Sequence, residues 1–105
     1  MTRRPVRVIW SPQALQELKA IIDYIRQDNP EAARRIGRQI RDGARRLTRF
    51  PLSGRLVPEF PESGLREIIV RDYRIVYDPT VDPMEILTVV HGSRDLPSLP
   101  PFGTP

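Results

Sequence analysis

Five polar side chains stand in or beside a stretch otherwise rich in Ile, Val and Tyr: Glu59, Arg66, Arg74, His91 and Arg94. A histidine, a carboxylate and an arginine are a set that can cleave a phosphodiester without metal. Histidine and glutamate exchange protons with an attacking 2′-hydroxyl and the leaving oxygen, while arginine stabilises the charge building on phosphorus. Glu59, Arg74 and His91 are the catalytic candidates, on the condition that Arg74 and His91 project from one face of a sheet with Glu59 at its rim. The same residues also have a plain structural reading. In it His91 ends the last strand, Arg66 and Arg74 pair with Glu67 or Asp72, and Glu59 is a loop acid. Spacing leaves both open. No phosphate-binding glycine loop, serine or cysteine nucleophile signature, or paired-carboxylate arrangement accompanies them.

The elements that must position these residues are legible in the pattern. Residues 65–70, 73–77 and 85–90 are short β-branched and aromatic runs, separated by Arg71-Asp72 and by the two-proline segment 78–83, as in sequential hairpins. Because side chains alternate along a strand, Arg74 and Val76 share one face, and Tyr73, Ile75 and Tyr77 the other. Upstream, residues 6–10 form a plausible first strand that adds to the same sheet. Ser11-Pro12 then carries a helix-start signal, since serine caps and proline is tolerated where its missing N–H has no partner. Ala14, Leu15, Leu18, Ile21, Ile22 and Ile25 follow as one apolar stripe. Asn29-Pro30 repeats the signal and opens a second helix expected to run to about Arg49, so the two form a tight hairpin. Its inner stripe is Ala33, Ile36, Ile40, Ala44 and Leu47, and Gly37 and Gly43 beside that stripe permit close helix approach. Segment 55–63 holds Pro58 and Pro61 and is expected to run extended, placing Glu59 beside the sheet. The predicted class is α+β: a strand, a helical hairpin and a three-stranded antiparallel meander, with two helices packed on one small sheet. Residues 1–95 are read as one domain and 96–105 as a proline-rich tail expected to be irregular or disordered, although its Leu96, Leu99 and Phe102 can still pack on the sheet.

Composition limits the chemistry. A chain of 105 residues supports one modest core. With no cysteine and one histidine it has neither a disulfide framework nor the ligands of a thiolate or histidine metal cage, so no metal or other cofactor is expected. No apolar run is long enough for a signal peptide or a membrane span, which points to the cytoplasm and away from a membrane. The net charge of +4 is unevenly placed: seven arginines against two acids give +5 between residues 30 and 50. Arg34, Arg38, Arg41, Arg45 and Arg49 fall on one helical face at spacings of four, three, four and four. That ridge is either a solvated face with pairs to Glu31 or Asp42, or a surface for an acidic protein or a nucleic acid.

The order of elements and the residues at their joints resemble the RelE/ParE superfamily of bacterial type II toxins. The resemblance covers residues 6–95 and rests on seven pieces in order. These are Trp10-Ser-Pro-x-Ala14, Asn29-Pro-x-Ala-Ala33, Phe50-Pro-x-Ser-Gly-Arg55, Val57-Pro-Glu59, Leu65-Arg-Glu67, Tyr73-Arg-Ile-Val-Tyr77 and Val90-His-Gly-x-Arg94. It implies a growth-arresting toxin held in a hetero-oligomer by an acidic, partly disordered antitoxin, ParD-like or RelB-like, whose contacts would include the arginine ridge with Arg66 and Arg94. Two targets are implied within the superfamily. ParE-like members poison DNA gyrase, whereas RelE-like and YoeB-like members cleave mRNA on the ribosome, and only the second activity would make Glu59, Arg74 and His91 catalytic. The chain lacks the lysine-rich set of RelE-like members, and Gly92 stands where a YoeB-like toxin has its tyrosine. The Val90-His-Gly-x-Arg94 ending is closer to ParE-like members, and gyrase is therefore the expected target, with the ribosome and mRNA as the alternative.

Overall fold

The structure, a computed structural model, describes residues 4–103. Residues 1–3 of the anticipated domain and 104–105 of the anticipated tail lie outside the described residues. Strand β1 (Val8–Trp10) leads into helix α1 (Pro12–Asp28) and helix α2 (Pro30–Arg46). A two-residue strand β2 (Arg55–Leu56) precedes the meander β3 (Arg66–Val70), β4 (Tyr73–Asp78) and β5 (Met84–His91). One five-stranded sheet results, ordered β1-β5-β4-β3-β2, with β1 parallel to β5 and every other pairing antiparallel. The helical hairpin and the meander are those expected. The sequence did not indicate β2, because two exposed residues between prolines carry no strand periodicity. Helix α2 also stops before Arg49, as Leu47 to Arg49 turn off through backbone bonds back to Ala44, Arg45 and Arg46.

Capping chemistry sets the hairpin. The Ser11 hydroxyl accepts from the Ala14 N–H at 3.0 Å, with Pro12 as the first helical residue. Asn29 serves both helices: its backbone N–H donates to the Ile25 carbonyl at 2.9 Å and ends α1, while its side-chain oxygen accepts from the Ala32 N–H at 3.1 Å and starts α2. No room is left for a longer connection. The helices then close tightly at Gly37, where an added Cβ would stand 2.9 Å from Ile22 Cδ1.

Both sheet faces are covered, by different means. Ala14 and Leu18 of α1 and Ile40 and Ala44 of α2 pack on Ile75, Tyr77, Met84, Ile86 and Val89. On the opposite face Val57, Val76, Val90 and Leu96 form a second buried cluster, roofed by Phe60, Leu65, Leu99 and Phe102. Residues 96–103 are thus part of the fold and not a disordered tail: Leu96 is fully buried and the Phe102 ring lies 5.1 Å from that of Phe60.

The edge of β5 beyond Trp10 is closed by a side chain. The Glu17 carboxylate accepts from the Thr88 hydroxyl at 2.7 Å and the Val89 N–H at 3.1 Å, so α1 supplies the acceptor that a longer β1 would have provided.

Candidate functional site

The polar residues on the second face assemble into an ion-pair ladder. Strand pairing sets Arg55 opposite Glu67 and Ile69 opposite Arg74, so these side chains stand on the face away from the helices. Glu67 is fully buried and accepts from Arg55 Nε at 2.7 Å through one oxygen and from Arg74 Nε at 2.7 Å through the other. Arg74, 6% exposed, reaches past it to grip Glu59 with Nη1 and Nη2, both at 2.7 Å. The order Arg55–Glu67–Arg74–Glu59 alternates in charge and sums to neutral. Hydrogen bonds from Arg74 hold the Glu59 carboxyl below its usual range, and those to Glu59 raise Arg74 further above its already high value. Glu59 comes from the 57–65 loop, which Val57 anchors in the second core, so burial of an apolar neighbour delivers the carboxylate to the arginine.

A shallow cleft of about 320 Å³ opens beside the ladder, bounded by Arg55, Pro58, Glu59, Ile69, Arg74 and Gly92. His91 stands apart from this pair. Arg74 pairs with Val90, and His91 with Tyr73, so alternation puts the imidazole on the face opposite Arg74. The ring is exposed, meets Tyr73 edge-on at 5.8 Å, and shares a 2.7 Å hydrogen bond between Nδ1 and the Ser93 hydroxyl. The condition that Arg74 and His91 share a face is therefore not met. Glu59 and Arg74 are brought together, and His91 is not brought to them. The structural reading of Arg74 with Glu67 matches the observed contact, whereas Arg66 takes a different partner.

Arg66 is half-buried and donates to the Gly54 carbonyl at 2.8 Å, fastening the turn after α2. That turn is held from below by Tyr77, whose hydroxyl accepts from the Gly54 N–H at 3.0 Å and donates to the Pro51 carbonyl at 2.8 Å. Gly54 is required there, because a Cβ would lie 2.6 Å from the Glu67 carbonyl oxygen and 2.7 Å from the Tyr77 hydroxyl. The Phe50-Pro-x-Ser-Gly-Arg55 piece is thus a close backbone approach that delivers Arg55 to Glu67. Arg55 and Glu67 were missed as members of the site. The available signal was an acid inside an Ile- and Val-rich strand, which needs a buried cation.

The arginine ridge is exposed as expected. Arg34, Arg38, Arg41 and Arg45 project from α2, and Arg49 from the turn beyond it. One weak pair interrupts it, Arg45 to Asp42 at 3.5 Å with both side chains more than half exposed. Phe50 and Leu52, also exposed, stand at its C-terminal end. Arg94 is exposed after β5. Among the described residues, no three histidine, cysteine or acidic side chains are grouped to hold a metal, and no helix is long and apolar enough to cross a membrane.

Residues 8–96 match the family model described as the ParE toxin of the type II toxin-antitoxin system parDE. The chain is 37% identical over 101 residues to Y4kP of Sinorhizobium fredii, whose name describes a toxin candidate, covering 94% of this chain and 99% of that one. It is 35% identical over 89 residues to the toxin RelE2 of Caulobacter vibrioides, covering 84% and 97% respectively. A chain in the solved structure of a chromosomal ParDE system from P. aeruginosa shares the fold, with a TM-score of 0.72 at 18% identity, over 85% of this chain and 98% of that one. The chain belongs to the ParE toxin family of type II toxin-antitoxin systems.

Proposed function

We propose that this toxin arrests growth by poisoning DNA gyrase in the cytoplasm and is silenced by a cognate, acidic, ParD-like antitoxin in a toxin-antitoxin hetero-oligomer. The observation that carries the choice of target is the state of Arg74. Its donors are committed to Glu59 and Glu67. A phosphate entering the cleft would therefore meet a cation already neutralised by two carboxylates, and no histidine stands on that face to move a proton. The ladder serves instead to lock the 57–65 loop to the sheet. Binding of antitoxin and target falls to the exposed arginines, Arg34, Arg38, Arg41, Arg45 and Arg49 with Arg94, while Arg66 contributes through the turn that it fastens.

Ribosome-dependent mRNA cleavage is the second reading, favoured by the meeting of Glu59 and Arg74 at an open cleft. The test is to add the purified, antitoxin-free protein to gyrase and supercoiled plasmid. Loss of supercoiling with accumulation of cleaved complexes at near-stoichiometric toxin, unchanged in His91→Ala, supports the gyrase reading. Protein that is folded and toxic in cells yet inert toward gyrase, and that cuts mRNA on translating ribosomes, overturns it.

A further inference from the structure

The Phe50-Pro-x-Ser-Gly-Arg55 piece delivers Arg55 to Glu67, yet its first side chain takes no part in that contact. Phe50 is 57% exposed, and its backbone is held: its N–H donates to the Arg46 carbonyl at 3.0 Å and its carbonyl accepts from the Ser53 N–H at 3.1 Å. An open concavity of about 610 Å³ lies against it at the end of α2, lined by Asp42, Arg45, Arg46, Thr48, Arg49 and Phe50. All three arginines are exposed, and the one acid lies 3.5 Å from Arg45. The tertiary structure brings two more arginines to this end. The Val6 N–H donates to the Thr48 carbonyl at 2.8 Å, so the segment bearing the exposed Arg4 and Arg7 runs beside Thr48. Among the described residues, Arg4, Arg7, Arg46 and Arg49 have no carboxylate within ion-pair distance. A helix C-terminus ordinarily holds cations and repels anions through its unpaired carbonyls. Here the carbonyls of Ala44, Arg45 and Arg46 accept from the N–H groups of Leu47, Thr48 and Arg49, each at 3.1 Å, which leaves the guanidinium groups to an outside anion.

We propose that the end of α2 is a contact site for single-stranded nucleic acid, with Phe50 as the platform for one unstacked base and Arg46 and Arg49 as the principal phosphate contacts. Arg45, Arg4 and Arg7 extend the same positive field. Cations alone would serve any acidic partner. A ring held out among them suits a partner whose charges alternate with flat π faces, and a single strand carries a phosphate and an exposed base at every nucleotide. A duplex keeps its bases stacked and offers this surface only its backbone. An acidic peptide has the charge without the base, so Phe50 would add little to its binding. The site lies at the end of the arginine ridge, and its occupancy does not depend on which target the toxin attacks.

The experiment is fluorescence anisotropy of a labelled oligothymidylate titrated with the full-length, antitoxin-free protein over a series of salt concentrations. Three to five phosphate contacts predict that log K falls against log salt with a slope of about −2 to −3.5. Phe50→Leu keeps an apolar side chain and removes the ring; it should weaken binding by about tenfold and leave that slope unchanged. Arg49→Gln should make the slope shallower by about 0.7, the share of one phosphate on a single strand. Circular dichroism checks that both variants are folded. A duplex of the same length should bind more weakly and be indifferent to Phe50→Leu, and polyglutamate of equal charge should not compete. Absence of binding at low salt, unchanged binding by folded Phe50→Leu, or competition by polyglutamate at equal charge would each overturn the proposal, the last by assigning the surface to acidic protein. None of these results touches the gyrase reading, which the supercoiling assay decides alone.

Discussion

Replacing Arg74 with methionine separates an architectural arginine from a catalytic one. The change keeps most of the stem's packing and deletes the guanidinium that bridges Glu67 and Glu59. Glu59 can turn to water, because its side chain is 27% exposed. Glu67 cannot: its side chain has no exposed surface, and Arg55, itself 62% exposed, would be its remaining cation. Removing one partner of a buried pair costs roughly 3–5 kcal/mol, and the retained Arg55 puts the expected loss near the lower bound, about 3 kcal/mol. For a domain of this size each kcal/mol moves the midpoint by about 4–8 °C, so thermal unfolding followed by circular dichroism should show a fall of about 12–24 °C. The double variant Arg74→Met with Glu67→Leu removes the stranded charge and should recover most of that loss, since apolar replacement of a buried pair is often neutral or better. Toxicity should track the folded fraction in both. If Arg74→Met melts within about 5 °C of the parent, a loss of about 1 kcal/mol, and toxicity nevertheless disappears, the ladder is not the reason Arg74 is there and the argument fails.

Gly54→Ala should destabilise by about 3 kcal/mol, because its Cβ meets the Glu67 carbonyl at 2.6 Å, and that atom belongs to a paired strand with nowhere to move; denaturant unfolding measures it. Leu96→Ala should cost about 2–5 kcal/mol by the same measurement, since Leu96 is fully buried against Val57, Val76 and Val90. Deleting residues 96–105 should therefore lower stability as well as any toxicity, and the two must be measured together. The Glu59 carboxyl is held below its ordinary value of 4.5 by Arg74, so the unfolded chain takes up its proton first as the pH falls. The stability from this pair is complete above 4.5 and is lost as the pH drops through the lower folded value. Glu59→Gln should consequently show a shallower loss of stability than the parent as the pH falls from 4.5 through that lower folded value.

Much of this architecture is written locally. Ser11-Pro12 and Asn29-Pro30 place both helix starts, because a side-chain oxygen and a missing N–H act within one turn. The β-branched runs mark the meander, and the alternation of Tyr73 to Tyr77 correctly divides Arg74 and Val76 from the residues that face the helices. The convergence of the polar residues is not local. His91 and Arg74 belong to different strands, and a slip of one residue in their pairing would exchange the face of the imidazole. The pairing is itself interrupted by a bulge: Val76 lies opposite Thr88 and Tyr77 opposite Ile86, with Leu87 between. Nothing in the two strand sequences announces that extra residue, and packing of Ile75, Tyr77, Ile86 and Val89 under the helices selects it. Glu67 is similar, since its acidity is visible in the sequence but its partners come from β2 and from β4. The sequence by itself determined the two helix starts, the three strands of the meander and the side of the strand on which Arg74 stands, through interactions a few residues long. Only the tertiary structure decided that Arg74 is spent on Glu59 and Glu67 and that His91 faces away, because those depend on register between distant strands.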